Sequence, residues 1–375
     1  MANPVIGLNL LFLQPGRLGG TATYARELLA QYAELDAPFQ YVLFLNSDCA
    51  KEFELPYPKF RSVIVPLGAG KPVKRHVVEQ LYLPWLVRKN KVDVLHSMGY
   101  TCPWLVSVPQ VVTIHDMAYR THSGHLPRSK RLFWNFFIPR SAKWADRVIA
   151  VSNDARREML TFLPIAPDKV TAIHSGVQRV TRPSDAEIEA VKTRYAIDGD
   201  YVLAVGCGKH KRVDLVINAI QELPDMRLVV TGLPESGKVP DKAPRGVNYV
   251  GFVSRSDLVA LYAGARAYVT DSEIEGFGFT VLEAMMVGTP VVSSNGGSLP
   301  EVCGDAALMV ADQNAGSYSR AIAAVSYDQE LRSKLIRLGT ERVEQFSWKA
   351  SADQHLNAYL QLADRSLEGA RVSLA

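Results

Sequence analysis

The sequence predicts an α/β protein built from two doubly wound, parallel-sheet domains, and three observations carry that reading. An apolar strand followed by a glycine loop and a helix occurs twice, at Val5 to Ala30 and again at Tyr201 to Leu223. Apolar runs of strand length recur after each opening, separated by segments of helix or loop length, which is the alternation of a parallel sheet with right-handed crossovers. A polar segment with a proline, residues 176–200, parts the two halves and reads as a linker and lead-in helix.

The first strand is Val5 to Leu13, interrupted only by Gly7 and Asn9, as in strands buried on both faces. The loop from Gln14 to Gly20 follows, with glycines at 16, 19 and 20, and then the periodic segment Thr21 to Ala30. This spacing is not the Gly-x-Gly-x-x-Gly dinucleotide fingerprint, so a nicotinamide dehydrogenase is disfavoured. Further strands are expected at Tyr41–Leu45, Ser62–Val65, Val92–His96, Val108–His115 and Arg147–Val151. Ligands of such sheets bind beyond the carboxyl ends of the strands, where His96, His115 and Ser152 fall. Ser152 opens a helix and reads as its N-cap, while His96 has no assigned role. His115 is either satisfied within the fold or is a ligand contact.

Two stretches of this half are basic and aromatic: Gly70 to His76, which precedes a helix with Tyr82 and Trp85, and Pro127 to Arg140. They read either as helices with an aromatic core side and a solvated charged side, or as a face for anionic headgroups. In the second half, the loop Cys207-Gly-Lys-His-Lys-Arg212 sets three cations at a helix start, where they oppose the dipole. A bound anion accounts for them, and so does a solvated charge cluster. Strands follow at Arg227–Gly232, Val247–Val253, Ala267–Thr270, Val291–Ser294 and Leu308–Val310. Ser254 is expected to start a helix, and several helices run to the C-terminus.

The chain is organised around Asp271 to Pro290, in which Glu275 and Glu283 stand eight positions apart with Gly276 and Gly278 between them. The glycines permit a tight turn, Thr280 to Val287 reads as helix, and Gly288 as its stop. A turn opening onto a helix presents free amides and the positive end of a dipole to an anion. Glu275 on the turn and Glu283 a turn into the helix can then grip separate parts of one ligand. The alternative is local: Thr280-x-x-Glu283 is also a capping-box pattern. Gly296-Gly-Ser298 before Leu-Pro-Glu301 reads as a second glycine loop with a capping box.

Glu-Gly-Phe-Gly, a second glutamate eight places on, Gly-x-Pro, a valine strand and then Gly-Gly together resemble the donor-site signature of retaining glycosyltransferases of family 4, with the GT-B fold. The likeness runs over essentially the whole chain and looks most like the mannosyltransferase branch of bacterial polysaccharide synthesis. It implies two Rossmann-like domains facing across a cleft. Residues 1–180 would be the acceptor domain, completed by a C-terminal helix at about 356–375, and residues 181–355 the nucleotide-sugar domain. It also implies a retaining hexosyltransferase. The donor would be a nucleoside-diphosphate sugar, GDP-mannose first, then UDP-glucose or UDP-N-acetylglucosamine. The acceptor would be a glycan or lipid-linked hydroxyl.

By correspondence, Glu275 would hold sugar hydroxyls, His115 would sit over the sugar, and Lys211 would bind the diphosphate, making these three the catalytic set. Donor contacts would come from Gly19, Gly20, Lys209, Arg212, Val253, Gly276, Phe277, Gly278, Thr280 and Glu283. The family arginine of the diphosphate loop is replaced by Cys207, which leaves either Lys209 or Arg212 as the second cation. Neither metal nor cofactor is expected. Two other readings stay open: a nucleotide-sugar epimerase or phosphorylase of the same fold, and a non-catalytic sugar-nucleotide-binding subunit.

Composition agrees with an ordinary globular chain, with 47% apolar and 21% charged residues among 375. A formal charge of +4 gives no case for nucleic acid. Four cysteines lie far apart, with no zinc spacing. With no signal-like start and no membrane-length apolar run, the expected setting is cytoplasmic, with the inner face of an anionic membrane as a peripheral partner.

Overall fold

The computed structural model describes residues 3–16, 19–53, 55, 57–70, 72–122, 124, 127–232 and 243–372. Arg17 and Leu18 of the first glycine loop, Lys71 of the first basic run and residues 373–375 of the expected tail lie outside the described residues. The chain divides into two compact units, one of Met1–Gly176 with Ser347–Ala375, the other of Val177–Phe346. The division thus falls four residues before the boundary expected at 180, and the tail joins the first unit at Ser347 rather than near 356. The physical reason is local. A Cβ on Gly176 would lie 2.2 Å from the Trp348 nitrogen, so the backbone of the returning chain is already against the first unit there.

The first unit contains β1 (Val5–Asn9), α1 (Gly20–Glu34), β2 (Gln40–Asn46), β3 (Phe60–Val65), α2 (Pro72–Leu81), α3 (Leu83–Lys89), β4 (Val94–Ser97) and β5 (Gln110–Ile114). It continues through α4 (Ala118–Thr121), α5 (Arg128–Trp144), β6 (Arg147–Ala150), α6 (Asn153–Phe162) and β7 (Val170–Ala172). Its seven strands are parallel and ordered β3-β2-β1-β4-β5-β6-β7. The order reverses between β1 and β4, and chain segments leaving those strands define the crevice where ligands of such sheets bind. β1 is shorter than its apolar run because Leu10 to Leu13 turn away at the carboxyl end, into that crevice. The three-residue edge strand β7 was not expected, since nothing in its composition marks it; it exists through pairing with β6.

The second unit runs α7 (Asp185–Arg194), β8 (Tyr201–Val205), α8 (Val213–Gln221), β9 (Arg227–Thr231), β10 (Val247–Gly251), α9 (Arg255–Gly264), β11 (Ala267–Thr270), α10 (Phe279–Met286) and β12 (Val291–Ser294). Then come α11 (Leu299–Cys303), β13 (Ala307–Val310), α12 (Ala315–Tyr327) and α13 (Gln329–Val343); α14 (Trp348–Val372) belongs to the first unit. Its sheet is ordered β10-β9-β8-β11-β12-β13, all parallel, with the reversal between β8 and β11. Valine-rich strands such as Val229–Val230 and Val291–Val292 are fully buried, as a sheet covered by helices on both faces requires. Ser184 and Glu187 close α7 with a capping box, and Ser152 and Ser254 cap α6 and α9 as their sequences indicate.

A buried chain of hydrogen bonds fastens α14 to the first sheet. One backbone carbonyl, at the Ser351 end, and two neutral imidazoles leave one consistent direction for it. The Tyr32 hydroxyl donates to Tyr359 (3.0 Å), and Tyr359 to His96 Nδ1 (2.6 Å). His96 Nε2 donates to Thr113 (2.8 Å), Thr113 to Tyr24 (3.0 Å), Tyr24 to His355 Nε2 (2.6 Å), and His355 Nδ1 to the Ser351 carbonyl (2.7 Å). His96, which the sequence left without a role, is therefore a structural link. Both histidines must be neutral in this arrangement, and burial agrees: it lowers His96 well below the usual range and pushes His355 down to about 4.

A depressed histidine is protonated more readily when unfolded. The stabilising effect is therefore whole above the ordinary value of 6.5 and is lost as pH falls from there to about 4. A histidine displaced that far forfeits about 3 kcal/mol once protonated. Urea midpoints measured across this window should fall steeply for the wild-type protein, and the fall should be shallower for His355→Asn.

Candidate active site

In the second unit, the segments leaving β8 and β11 meet at the strand-order reversal. After β8 the chain passes Gly206, Cys207 and Gly208, makes one turn over Lys209–Lys211, and enters α8 through Arg212 at φ 40°. After β11 it runs through Asp271, Ser272 and Glu273 to the turn Glu275-Gly-Phe-Gly278, which opens α10. The Glu273 amide donates to the His210 carbonyl at 2.9 Å, joining the two loops by backbone.

Their side chains are paired across that join. Lys211 donates to a Glu275 carboxylate oxygen, with 14% and 16% of the two side chains exposed. Burial by itself would depress the Lys211 ammonium. The neighbouring Glu275, with smaller help from Tyr268, outweighs it and raises the value, so the ammonium keeps its charge and is not buried alone. Arg212 donates to Asp271 at 2.7 Å, to Glu273 at 3.2 Å and to Gln313 at 2.6 Å. Those three partners hold it in the left-handed backbone region that a non-glycine residue adopts at a cost. The cations of this loop thus have protein anions as partners, which the sequence reading of an anion site did not include. Of the two candidate second cations, Arg212 is tied into this network, and Lys209 is exposed on the turn before it.

Cys207, at the position of the family arginine, donates to the Thr231 carbonyl at 3.4 Å. Burial pushes its thiol up to about 11, so at neutral pH it is an uncharged packing group.

The glutamate turn is held from below by glycines. A Cβ on Gly296 would sit 2.0 Å from the Ser272 carbonyl oxygen, and one on Gly297 (φ +54°) 2.5 Å from that of Glu275. Ser298 donates both its amide and its hydroxyl to the Glu275 carbonyl, each at 3.0 Å. The capping box expected at Ser298 is therefore absent; its hydroxyl serves the turn instead. Gly278 (φ +100°) is the N-cap of α10, so Thr280 and Glu283 form no capping box either. The Thr280 hydroxyl takes a hydrogen bond from Tyr268 at 2.8 Å. Glu283 accepts from Arg255 at 2.5 Å and from Tyr262 at 3.3 Å. Phe277 is 3% exposed, packed against Phe279 and Phe346, so its side chain anchors the turn and only its backbone, with that of Gly276, borders α10's amino end.

Val253 is half-buried between β10 and α9, next to Phe252, which is 81% exposed. Asp271 and Glu273, which hold Arg212, and Arg255, which holds Glu283, had no sequence signal, because each is defined by a partner on another loop or helix. Asp271 is fully buried, and Tyr318 also donates to it at 2.7 Å.

The remaining expected residues belong to the first unit. His115 directly follows β5, is 6% exposed, and packs edge-on against Tyr24 with ring centroids 5.0 Å apart. Its Nε2 lies 2.9 Å from the Met98 carbonyl, which can only accept, so Nε2 carries the proton and Nδ1 is the acceptor nitrogen. Burial lowers its pKa and keeps the ring neutral. Gly19 and Gly20 stand exposed at the amino end of α1, and a Cβ on Gly19 would meet nothing within 4 Å. The fold does not need glycine at 19.

Among the described residues, no group of three or more His, Cys, Asp or Glu side chains is disposed to hold a metal ion. The Asp198-Gly-Asp200 triplet lies before β8, at the opposite end of the strand from the paired loops, with Asp200 on Arg266 at 2.7 Å.

Two outcomes follow. Lys211→Ala and Glu275→Ala should each cost about 3–5 kcal/mol, because each strands a buried charge, and the double variant should cost less than their sum; denaturant titrations of the cycle measure this. Gly296→Ala should lower stability by about 3 kcal/mol or more, since its new methyl meets backbone that cannot move aside.

Two family profiles match the chain. One, described as Glycosyltransferase Family 4, matches residues 18–179, and the other, described as Glycosyl transferases group 1, matches residues 189–342. The O-antigen chain mannosyltransferase B of Escherichia coli is 31% identical over 62% of this chain and 65% of its own length. The chain thus spans just under two thirds of that relative. Sucrose-phosphate synthase from Thermosynechococcus elongatus superposes with a TM-score of 0.78 at 20% identity, covering 96% of this chain and 99% of that one. Anabaena HepE, in a structure with UDP-glucose, gives 0.73 at 16% identity over 95% and 99%. With matching profiles on both halves and the GT-B architecture in its structural relatives, the chain belongs to the family 4-like glycosyltransferases.

Proposed function

We propose that this chain is a retaining hexosyltransferase that moves a sugar from a nucleoside-diphosphate donor to an acceptor hydroxyl in polysaccharide or glycolipid synthesis. The observation that carries the reading is the buried Lys211–Glu275 pair at the strand-order reversal, beside the amino end of α10. Departure of the diphosphate builds negative charge on its oxygens and positive charge on the sugar. Lys211 and the amides from Gly276 to Thr280 would stabilise the first, and Glu275 would orient the sugar through its hydroxyls. Exchange of partners between the pair and such a donor would keep both charges compensated.

Glu283, already oriented by Arg255 and Tyr262, is suited to the ribose hydroxyls. Neutral His115 offers Nδ1 to a sugar hydroxyl, and Gly19, at which the fold tolerates a side chain, leaves room for the donor. The departing diphosphate oxygen would take the acceptor proton on the same face, so no dedicated base is required. GDP-mannose is the favoured donor, supported by the mannosyltransferase relative; UDP-glucose, the ligand in the HepE structure, is next.

Thermal shifts with GDP, UDP, ADP and dTDP should single out one nucleotide, with a gain of about 2.7 kcal/mol at a hundred times its dissociation constant. No response to any of them from folded protein would end this reading. With the donor known, Glu275→Ala should reduce transfer by about 10²–10³-fold. Product anomers read by NMR should retain the donor's configuration. Turnover without acceptor would instead indicate an epimerase.

A further inference from the structure

The loop after β4 holds one residue in a conformation that its side chain disfavours. Tyr100 has φ +67°, and of the four non-glycine residues with positive φ among those described it alone is aromatic. A bulky side chain avoids that region unless the surrounding structure imposes it, and residues so imposed gather where geometry matters to function.

What imposes it lies on and just beyond the neighbouring strand. The Tyr100 amide donates to the Thr113 carbonyl of β5 at 2.9 Å, and its hydroxyl donates to Asp116 Oδ2. Asp116 is itself oriented, because its Oδ1 accepts from the Ala118 amide at 2.9 Å. Burial and the neighbouring Asp116 keep the Tyr100 phenol well above its usual value, so it remains a donor. The loop is also confined from the side of β1: a Cβ on Gly99 would lie 2.5 Å from the Phe12 ring.

His115 stands between Thr113 and Asp116 in the chain, and the same loop meets it twice. The Met98 carbonyl takes the proton of its Nε2 at 2.9 Å, and the Tyr100 ring lies 5.3 Å from the imidazole, tilted by 50°. Tyr100 also touches Trp134, with ring centroids 5.8 Å apart. The segment from Met98 to Tyr100 thus bears both on which imidazole nitrogen carries the proton and on how the ring is turned. No local pattern in the sequence marks Tyr100, because its partners lie after a different strand.

We propose that Tyr100 is a positioning residue for His115: its hydroxyl bond to Asp116 and its ring contact hold the loop that keeps Nδ1 presented as an acceptor. Without the hydroxyl, Tyr100 can leave the left-handed region, and the Met98 carbonyl two residues back moves with it. The imidazole then exchanges tautomers, and Nδ1 carries the proton part of the time. In the proposed transfer, on which the contact of His115 with a sugar rests, the donor sugar would be gripped less firmly while the nucleotide contacts of the second unit stay as they are.

Two measurements on the full chain test this. NMR with isotope-labelled histidine nitrogens needs no ligand, the His115 signals being those absent from His115→Gln. The wild-type ring should be a single Nε2-protonated tautomer, and Tyr100→Phe and Tyr100→Leu should each show a mixture. Calorimetry then compares GDP with GDP-mannose and UDP with UDP-glucose. Tyr100→Phe should weaken the nucleotide sugar that binds by about ten-fold, and its nucleotide by less than about two-fold. In a His115→Ala background the same substitution should change neither by more than about two-fold. A single tautomer retained in both Tyr100 variants overturns the proposal. So does an equal loss for nucleotide and nucleotide sugar, or a loss that persists in full without His115. If the wild-type protein binds none of the four ligands, the transferase reading falls, and the tautomers alone decide the role of Tyr100.

Discussion

The structure of the second unit depends on the compensation of buried charge between two loops. Lys211 and Arg212 follow β8, Asp271, Glu273 and Glu275 follow β11, and each charge has its partner on the other loop. A buried ion pair contributes little net stability, because desolvation offsets most of the Coulomb gain. Its consequence is geometric. With neither side able to move without stranding a charge, both loops are held in register beside α10, and Arg212 is kept in a backbone conformation it would otherwise leave.

The glycines beneath the turn serve the same constraint. Gly296 and Gly297 let the segment after β12 come within contact of the Ser272 and Glu275 carbonyls, and Ser298 then satisfies the latter twice. The carboxylate of Glu275 is thereby positioned from both ends, by its backbone below and by Lys211 beside it. Groups held by a second set of contacts lose less freedom when a ligand arrives, which suits the role proposed for this pair.

The first unit uses a neutral device for a comparable purpose. Its sheet is fastened to α14 by a hydrogen-bond chain through Tyr32, Tyr359, His96, Thr113, Tyr24 and His355. The same Tyr24 that donates to His355 packs on the edge of His115. The returning C-terminal helix therefore bears on the orientation of the histidine just after β5, through one shared tyrosine. Few of these groups could be replaced singly without leaving a buried donor or acceptor unpaired.

The sequence by itself determined the architecture and singled out the stretch on which the candidate site is placed. Runs of buried valine, glycine loops and helical spacing are local properties, and they located all but the shortest strand. The stretch from Glu275 to Glu283 was legible because turn, glycine and helix signals coincide there. Tertiary structure alone decided the partners. That Lys211 faces Glu275, that Arg212 is held by Asp271 and Glu273, that Glu283 is held by Arg255 rather than capping its own helix, and that Ser298 serves Glu275, all join residues from different elements. The basic stretches at 70–76 and 127–140 were each visible as composition, but only the packing of α2 on α5, through His76 against Phe133 and Phe137, set them side by side. Periodicity records which face of an element is buried and is silent on what it is buried against, since that depends on the chain's path through space.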